Sequence, residues 1–406
     1  MNVINRVPDN WGQTTEVINR FNTVGHRLGT RYVGRNRAIR LLQVAVLCRE
    51  HVLLLGPPGT AKTDLVDRFA DLIEARKFTY LLTRFTEPSE LFGPLDFEAF
   101  RSSNYQVRTD SMLPEAQVAF LDEVFQGSSA ILNTLLTLIN ERVFHNGPTP
   151  MRAPLITVIG AANEMPDDPV LRAFADRFLL RAQLTPVAET QLHDLLALGW
   201  EREQNALSQP IPGEIVEVAN WTAPVRERHL VSQQDLAGLA RCVSDVSLEL
   251  VLPDYEEVVR ELLAARVALS DRRVVRGQKL IAAAAVLRNS TRAAPKDLWP
   301  LTHFWADPAD APIFEEIVQA RVEADGGEQL HSVRTAGQIL TDARYEFQQA
   351  QRRVDGGGLV PSILTRALGR LNELRLELLQ AHGAGEDAAA IEEMIDKLIE
   401  ELESTY

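Results

Sequence analysis

Cysteine is nearly absent from the 406 residues: there are two, Cys48 and Cys242, far apart and outside any CxxC pair. That excludes a disulfide framework and a thiolate zinc site, and it suits small core residues of a reduced protein. The eight histidines show no HxxxH or similar spacing, so no histidine-held metal is indicated. Long apolar runs are missing as well. No stretch reaches the roughly 20 residues that a membrane span needs, and the opening residues, with Asp9, Asn10 and Gln13, lack the apolar centre of a signal peptide. These absences predict a cytoplasmic protein. Positive charge is also short: 42 Lys and Arg stand against 56 Asp and Glu, a net charge of −14. A dedicated nucleic-acid binder needs a positive face. Half of the acidic excess is local, because residues 386–403 hold eight acids and one Lys.

What remains is an ordinary globular composition, 45% hydrophobic and 24% charged, on a chain long enough for about two to four domains. Its most informative stretch is 53–63. An apolar run ending in Leu53, Leu54 and Leu55 breaks into Gly56, Pro57, Pro58, Gly59, Thr60, Ala61, Lys62 and Thr63. Glycines after a buried strand let backbone N–H groups turn inward, and a helix start adds partial positive charge. Lys62 then reaches the outer phosphates of a nucleotide, and the Thr63 hydroxyl ligates magnesium. The usual pattern has Gly directly before the Lys, where this chain has Ala61. Ala is accommodated at small cost if that residue has right-handed helical φ/ψ. The bland alternative is a Gly/Pro turn that happens to carry a Lys.

Short apolar runs at 51–55, 78–84, 118–122, 155–161 and 178–184 alternate with helical pattern at 64–74 and 129–140. Alternation of this kind predicts a parallel sheet covered on both faces, with ligands beyond the carboxyl ends of the strands. Two interruptions stand out. Residues 87–114 read as a helix broken by a loop or hairpin, and 142–155 as a hairpin turning at Asn146-Gly147. Ahead of the first strand, Val17, Ile18, Phe21 and Val24 mark a helix over 14–28. Tyr32, Val33 and Gly34 then introduce a second helix. That segment either lies over the base of a nucleotide or is simple packing.

The strand ends carry the remaining chemistry. The run at 118–122 finishes in Asp122 and Glu123. Facing Lys62, Asp122 holds magnesium through water, and Glu123 orients and deprotonates the attacking water; otherwise both merely cap a helix. Asn163, after the fourth run, reports the γ-phosphate or serves a turn. Arg177, before the last run, suits developing phosphoryl charge supplied across a subunit boundary, or is a surface charge.

Taken together these phrases resemble the MoxR family of AAA+ ATPases, nearest to its RavA subgroup, over about residues 32–305. The phrases are GPPGTAKT (56–63), TRFTEPSELFGPL (83–95), LPEAQVAFLDEVF (113–125), ILNTLLTLINER (131–142), AANE (161–164) and DRFLLR (176–181). The resemblance implies an α/β AAA+ (P-loop) parallel-sheet core with an all-α lid and a helical C-terminal extension. The expected division is a helical lead at 1–30, a core at 31–186, a lid at 187–307 and an extension at 308–406. Lys62 and Thr63 would be the Walker A pair, Asp122 and Glu123 Walker B, Asn163 sensor 1, and Arg177 an arginine finger acting in trans. The 87–114 and 142–155 interruptions match the helix-2 insert and pre-sensor-1 hairpin. In the helix opened by Asp271, Arg272 is the choice for sensor 2, with Arg273 a rival. ATP and Mg2+ are the implied cofactors, and a ring, of hexameric size, the implied assembly. The family's frequent association with von Willebrand A domain proteins makes that the first client or adaptor class.

Beyond the lid, 325–327 and 355–358 have flexible-linker compositions. Leu364, Leu371 and Leu378 repeat every seven residues, as do Ile391 and Leu398, and Ile395 and Leu402. A turn at 382–385 then predicts an antiparallel helical hairpin, either a docking arm or a pair folded on the lid. The functional expectation is an ATP-hydrolysing ring that remodels a client protein. A DNA-dependent motor is the alternative, weakened by a hairpin tip at 144–150 without Lys or Arg; a nucleotide-gated scaffold with little hydrolysis is another.

Overall fold

A computed structural model describes residues 11–187, 191–207, 229–325 and 386–403, with single positions 343, 347, 368, 371 and 375 besides. The apolar runs become strands. β1 (Val52–Leu55), β3 (Val118–Asp122) and β6 (Thr157–Ala162) are buried along nearly their whole length, as parallel strands covered on both faces must be. β2 (Lys77–Leu81) and β7 (Leu180–Gln183) close the edges, giving one parallel sheet in the order β2-β3-β6-β1-β7. Leu55 is in register with Ala162 on one side and Gln183 on the other, and Leu81 with Asp122. The carboxyl ends of all five strands therefore form one rim.

Strand 2 is shorter than its apolar run. Past Leu81 the chain turns, the Thr83 N–H donating to Thr86 Oγ1 at 2.9 Å. Helices α3 (Lys62–Leu72), α6 (Ser129–Glu141) and α7 (Pro169–Ala175) follow β1, β3 and β6. α7 starts at Asp168, whose carboxylate accepts the N–H groups of Val170 and Leu171, an N-cap that a following Pro reinforces.

Both interruptions of the alternation are built as expected. α4 (Pro88–Phe92) and α5 (Phe97–Arg101) fill the first, and the antiparallel pair β4 (Val143–Asn146) and β5 (Thr149–Arg152) the second. They are tied together. The Asn146 side chain accepts from Val107 N–H at 2.7 Å and donates to the Val107 carbonyl at 2.9 Å, while Phe92 stacks on Phe144 with centroids 5.6 Å apart.

The amino-terminal α1 (Trp11–Arg31) buries Ile18, Phe21, Val24 and Leu28, and α2 (Asn36–Cys48), lying against it, is buried on most sides. The lid comprises α8 (Leu192–Leu207), α9 (Gln233–Asp245), α10 (Leu252–Ala264) and α11 (Asp271–Leu287). Pro295 then opens a 3-10 stretch, Pro295–His303, rather than an α-helix, since Pro300 inside it cannot donate a backbone bond. α12 (Ala311–Ala324) packs on this stretch and on α10 through buried Phe314, Val318 and Val322, so the first compact unit continues past residue 307 to Glu328.

A second unit, Gln329–Tyr406, contains α13 (Glu386–Glu403). Ile391, Ile395, Leu398 and Leu371 are buried within it, Glu392, Glu393 and Asp396 face outward, and Arg375 pairs with Glu392 at 2.7 Å. Leu364, Leu378, the 382–385 turn and the 355–358 linker lie outside the described residues. Among the described residues no helix is long and apolar enough to cross a membrane, and no group of three or more metal-binding side chains occurs.

Candidate functional site

The loop of residues 56–61 leaves the end of β1 and curls over the start of α3. Gly56 sits at φ +150 with its N–H on the Ala162 carbonyl at 3.1 Å, and a Cβ there would fall 2.1 Å from the Leu184 carbonyl oxygen. Only glycine fits that approach. Pro57, Pro58 and Gly59 are exposed on the loop's outer face, and the Thr60 hydroxyl donates to the Pro57 carbonyl at 2.9 Å. Lys62, 8% exposed, turns back into the loop, donating to the carbonyls of Gly56 at 2.6 Å and Pro57 at 3.3 Å. Burial lowers its pKa, and the Asp122 and Glu123 carboxylates oppose that shift. The ammonium is thus poised between loop carbonyls and two acids, and an incoming phosphate can compete for it.

The expectation for Ala61 fails. It lies at φ 60, ψ 28, in the left-handed region and not the right-handed helical one, as the residue immediately before α3. The turn from loop to helix requires positive φ here, which is why glycine is usual, and Ala bears the Cβ penalty.

Asp122 ends β3 half-buried, one carboxylate oxygen accepting the Glu123 N–H at 3.0 Å. Glu123 is itself left-handed, at φ 49 and ψ 46, a strained turn that swings its side chain across the rim. There Asn163, just past β6, donates to Glu123 Oε1 at 3.1 Å. Lys62, Asp122, Glu123 and Asn163 therefore share one rim of three adjacent strands. Thr63, exposed in the first turn of α3, adds a hydroxyl. One hydroxyl and one carboxylate beside a phosphate loop are hard oxygen donors of the kind magnesium takes, so the residues fit that ion.

Ahead of α2, the segment with Val33 and Gly34 is held to the loop by Arg35, whose Nε donates to the Thr60 carbonyl at 3.3 Å. Tyr32 is bonded to α3: its hydroxyl donates to Asp64 Oδ2 at 2.6 Å. Nothing in the linear sequence marks Arg35 or Asp64 as neighbours of this turn.

Arg177 and Arg272 are elsewhere. Arg177 precedes β7, and Leu180 is in register with Val52 at the start of β1. Arg272 donates to Asn140 Oδ1 at 3.0 Å, in the last turn of α6. Its pKa is lowered by burial, then by the charges of Arg276 and Arg177 nearby. Both guanidiniums thus stand at the amino ends of the strands, a strand length of roughly 13–20 Å from the phosphate loop. Within the chain Arg272 stands within charge range of Arg177 and bonds to Asn140, away from Lys62.

Arg273 is committed to packing. It is 2% exposed, bonds Asp176 at 3.0 Å and the Leu179 carbonyl at 3.0 Å, and lies over the Phe304 ring. Next to it Arg181, also buried, donates to the Trp305 carbonyl at 3.0 Å, and burial pulls its pKa down to about 9. Below β1, Glu50 is buried and pairs with Arg276 at 3.3 Å and with Lys279. His51 accepts the Val158 N–H and contacts Arg142, and burial keeps its imidazole neutral, well below the usual range. The lid helix α11 is thereby joined to the base of the sheet through side chains that no motif flags.

Known proteins similar to this chain agree with its fold. Residues 19–219 match a family model described as the MoxR domain in the MoxR-vWA-beta-propeller ternary systems. An uncharacterized protein of Methanocaldococcus jannaschii is 30% identical over 390 residues, covering 94% of this chain and 96% of the relative. Chaperone MoxR1 of Mycobacterium tuberculosis is 25% identical, covering 58% and 56%. In fold, the chain resembles the crystal structure of a candidate ATPase from Cytophaga hutchinsonii, with a TM-score of 0.59, 19% identity, and coverage of 77% and 96%. The chain belongs to the MoxR family of AAA+ ATPases.

Proposed function

We propose that the protein hydrolyses ATP as an oligomeric ring and uses the turnover to remodel or activate a client protein. The observation that carries this is the separation of charges: loop, carboxylates and Asn163 occupy one rim, while Arg177 and Arg272 occupy the opposite end of the same sheet. A guanidinium reaches about 7 Å and cannot span a strand length to its own loop. A site with all of these groups needs two protomers, each giving its rim to one nucleotide and its arginines to another.

In that site Lys62 and the N–H groups at the start of α3 bind the phosphates. Glu123, oriented by Asn163, accepts the proton of the attacking water, and Arg177 with Arg272 steadies charge on the transferring phosphoryl. Magnesium would be held by Thr63 and Asp122, and supplies neutralisation of the phosphate oxygens when bound. Val33 and Gly34 form the base side. Asn146 welds the insert to the hairpin, so the two would move as one element against a client.

The matched family model places its members with von Willebrand A and propeller proteins. A von Willebrand A domain protein is accordingly the partner class proposed here, in the cytoplasm, and the likeness of the core phrases to the RavA subgroup belongs to the same proposal. The test is a pair of variants in ATP-binding and phosphate-release assays. Lys62→Ala should abolish ATP binding, whereas Glu123→Gln should keep ATP bound, stabilise the ring on size-exclusion chromatography and lower turnover at least ~100-fold. A wild-type protein that stays monomeric and does not turn over ATP overturns the proposal.

A further inference from the structure

Tyr32, 3% exposed, is enclosed from two directions. Its hydroxyl is bonded to Asp64, the residue after Thr63 in the first turn of α3. Its ring is covered by the Arg202 guanidinium, 4.6 Å from the ring centroid, which comes from the lid helix α8. Arg202 also stands 3.7 Å from Asp64 Oδ2 and donates to the Arg31 carbonyl at 2.6 Å, at the end of α1. Burial, then the Asp64 bond, raises the Tyr32 pKa, so the phenol remains a donor to that carboxylate at neutral pH. At its other end the same lid helix is preceded by Gln191, whose Oε1 lies 3.0 Å from where a Gly34 Cβ would be. A turn at positive φ is therefore clasped between the lid on one side and the phosphate-loop helix on the other.

We propose that Arg202 is a positioning residue for nucleotide binding: stacked on Tyr32 and paired with Asp64, it holds the first lid helix, the Val33–Gly34 turn and the first turn of α3 in one arrangement. Nucleotide affinity is thereby made to depend on where the lid sits. This rests on the assignment of ATP to the phosphate loop. Arg202 does not touch the phosphates. It acts through Tyr32, which leads directly into the base-side turn, and through Asp64, which shares a helical turn with Lys62 and Thr63. A Lys at 202 keeps the charge for Asp64 but lacks the flat guanidinium face that covers the ring.

The test is the dissociation constant for a fluorescent ATP analogue, with magnesium, measured on the full chain for wild type, Arg202→Met, Arg202→Lys, Asp64→Asn and the Arg202→Met/Asp64→Asn double variant. Met keeps an unbranched stem of similar length and removes the charge. Arg202→Met should weaken binding about tenfold, mostly through a faster off-rate, with Arg202→Lys in between. KM for ATP should rise in step while kcat changes much less, a split that simple destabilisation does not produce. The double variant should bind no more weakly than Arg202→Met, because both substitutions break one coupled unit. Affinity within twofold of wild type for Arg202→Met, with or without a lower melting temperature, overturns the proposal; so do losses that multiply in the double variant. A wild-type protein that does not bind the analogue instead overturns the assignment of ATP to the loop.

Discussion

Ala61 gives the sharpest physical test because two backbone conformations predict opposite signs for one substitution. If it were right-handed, Ala61→Gly would lose stability, since Gly at a helix start gives up about 0.5–1 kcal/mol of chain entropy relative to Ala. At the observed φ 60 and ψ 28 the balance reverses. A left-handed L-residue costs about 1–2 kcal/mol, and Gly gives back about 0.4–1 kcal/mol through the unfolded chain. Ala61 is exposed, so no packing is lost with its methyl. Ala61→Gly should therefore stabilise the protein by about 0.5–1 kcal/mol. Ala61→Val, β-branched at positive φ, should cost about 1 kcal/mol or more. Urea unfolding followed by tryptophan fluorescence reads both as shifts of midpoint at unchanged slope. A lower midpoint for Gly, or a Val variant indistinguishable from wild type, would refute the left-handed assignment and with it the account of why the loop favours glycine there.

Three further outcomes are expected. Arg177→Ala should leave ATP affinity intact and lower turnover by about 10³, and mixing it with Glu123→Gln should restore part of the activity, because a mixed ring contains boundaries with one intact Glu123 and one intact Arg177. No recovery on mixing argues against a shared site. Acid should destabilise the fold through buried histidines: burial, then Arg37, pulls His303 down to about 4, and His51 is depressed by burial and Arg142. Both are neutral when folded, so their contribution is complete above about pH 6.5 and is lost as pH falls below it; for His303 the loss is about 2 kcal/mol between pH 7 and 5, and His51 acts in the same direction. His303→Asn should lower the stability lost between the two pH values by about 2 kcal/mol in denaturant titrations. Removing magnesium with EDTA should stop phosphate release, and Asp122→Asn should raise the magnesium concentration needed for half-maximal turnover.

The sheet and the rim were legible in the order of residues. Buried strands of a parallel sheet are continuous apolar runs, and β1, β3 and β6 were each visible as such, with their ends marked by Gly56, Asp122-Glu123 and Asn163. The loop between β1 and α3 is built from residues within one turn of each other, so its turn and the placement of Lys62 were legible too.

Other features come from contacts between residues far apart in the chain. Ala61 takes its left-handed conformation from the angle at which β1 must enter α3, which neighbours in sequence do not specify. Arg272 and Arg273 are adjacent in the chain and point to different fates, one to Asn140 beside Arg177 and the other into the Asp176–Phe304 core. Arg202 reaches Tyr32 and Asp64 across more than a hundred residues, and Glu50 meets Arg276 and Lys279 across more than two hundred. A long charged side chain carries no mark of its partner, because its stem packs on apolar surface while its head goes wherever the fold offers a carboxylate, a carbonyl or a ring.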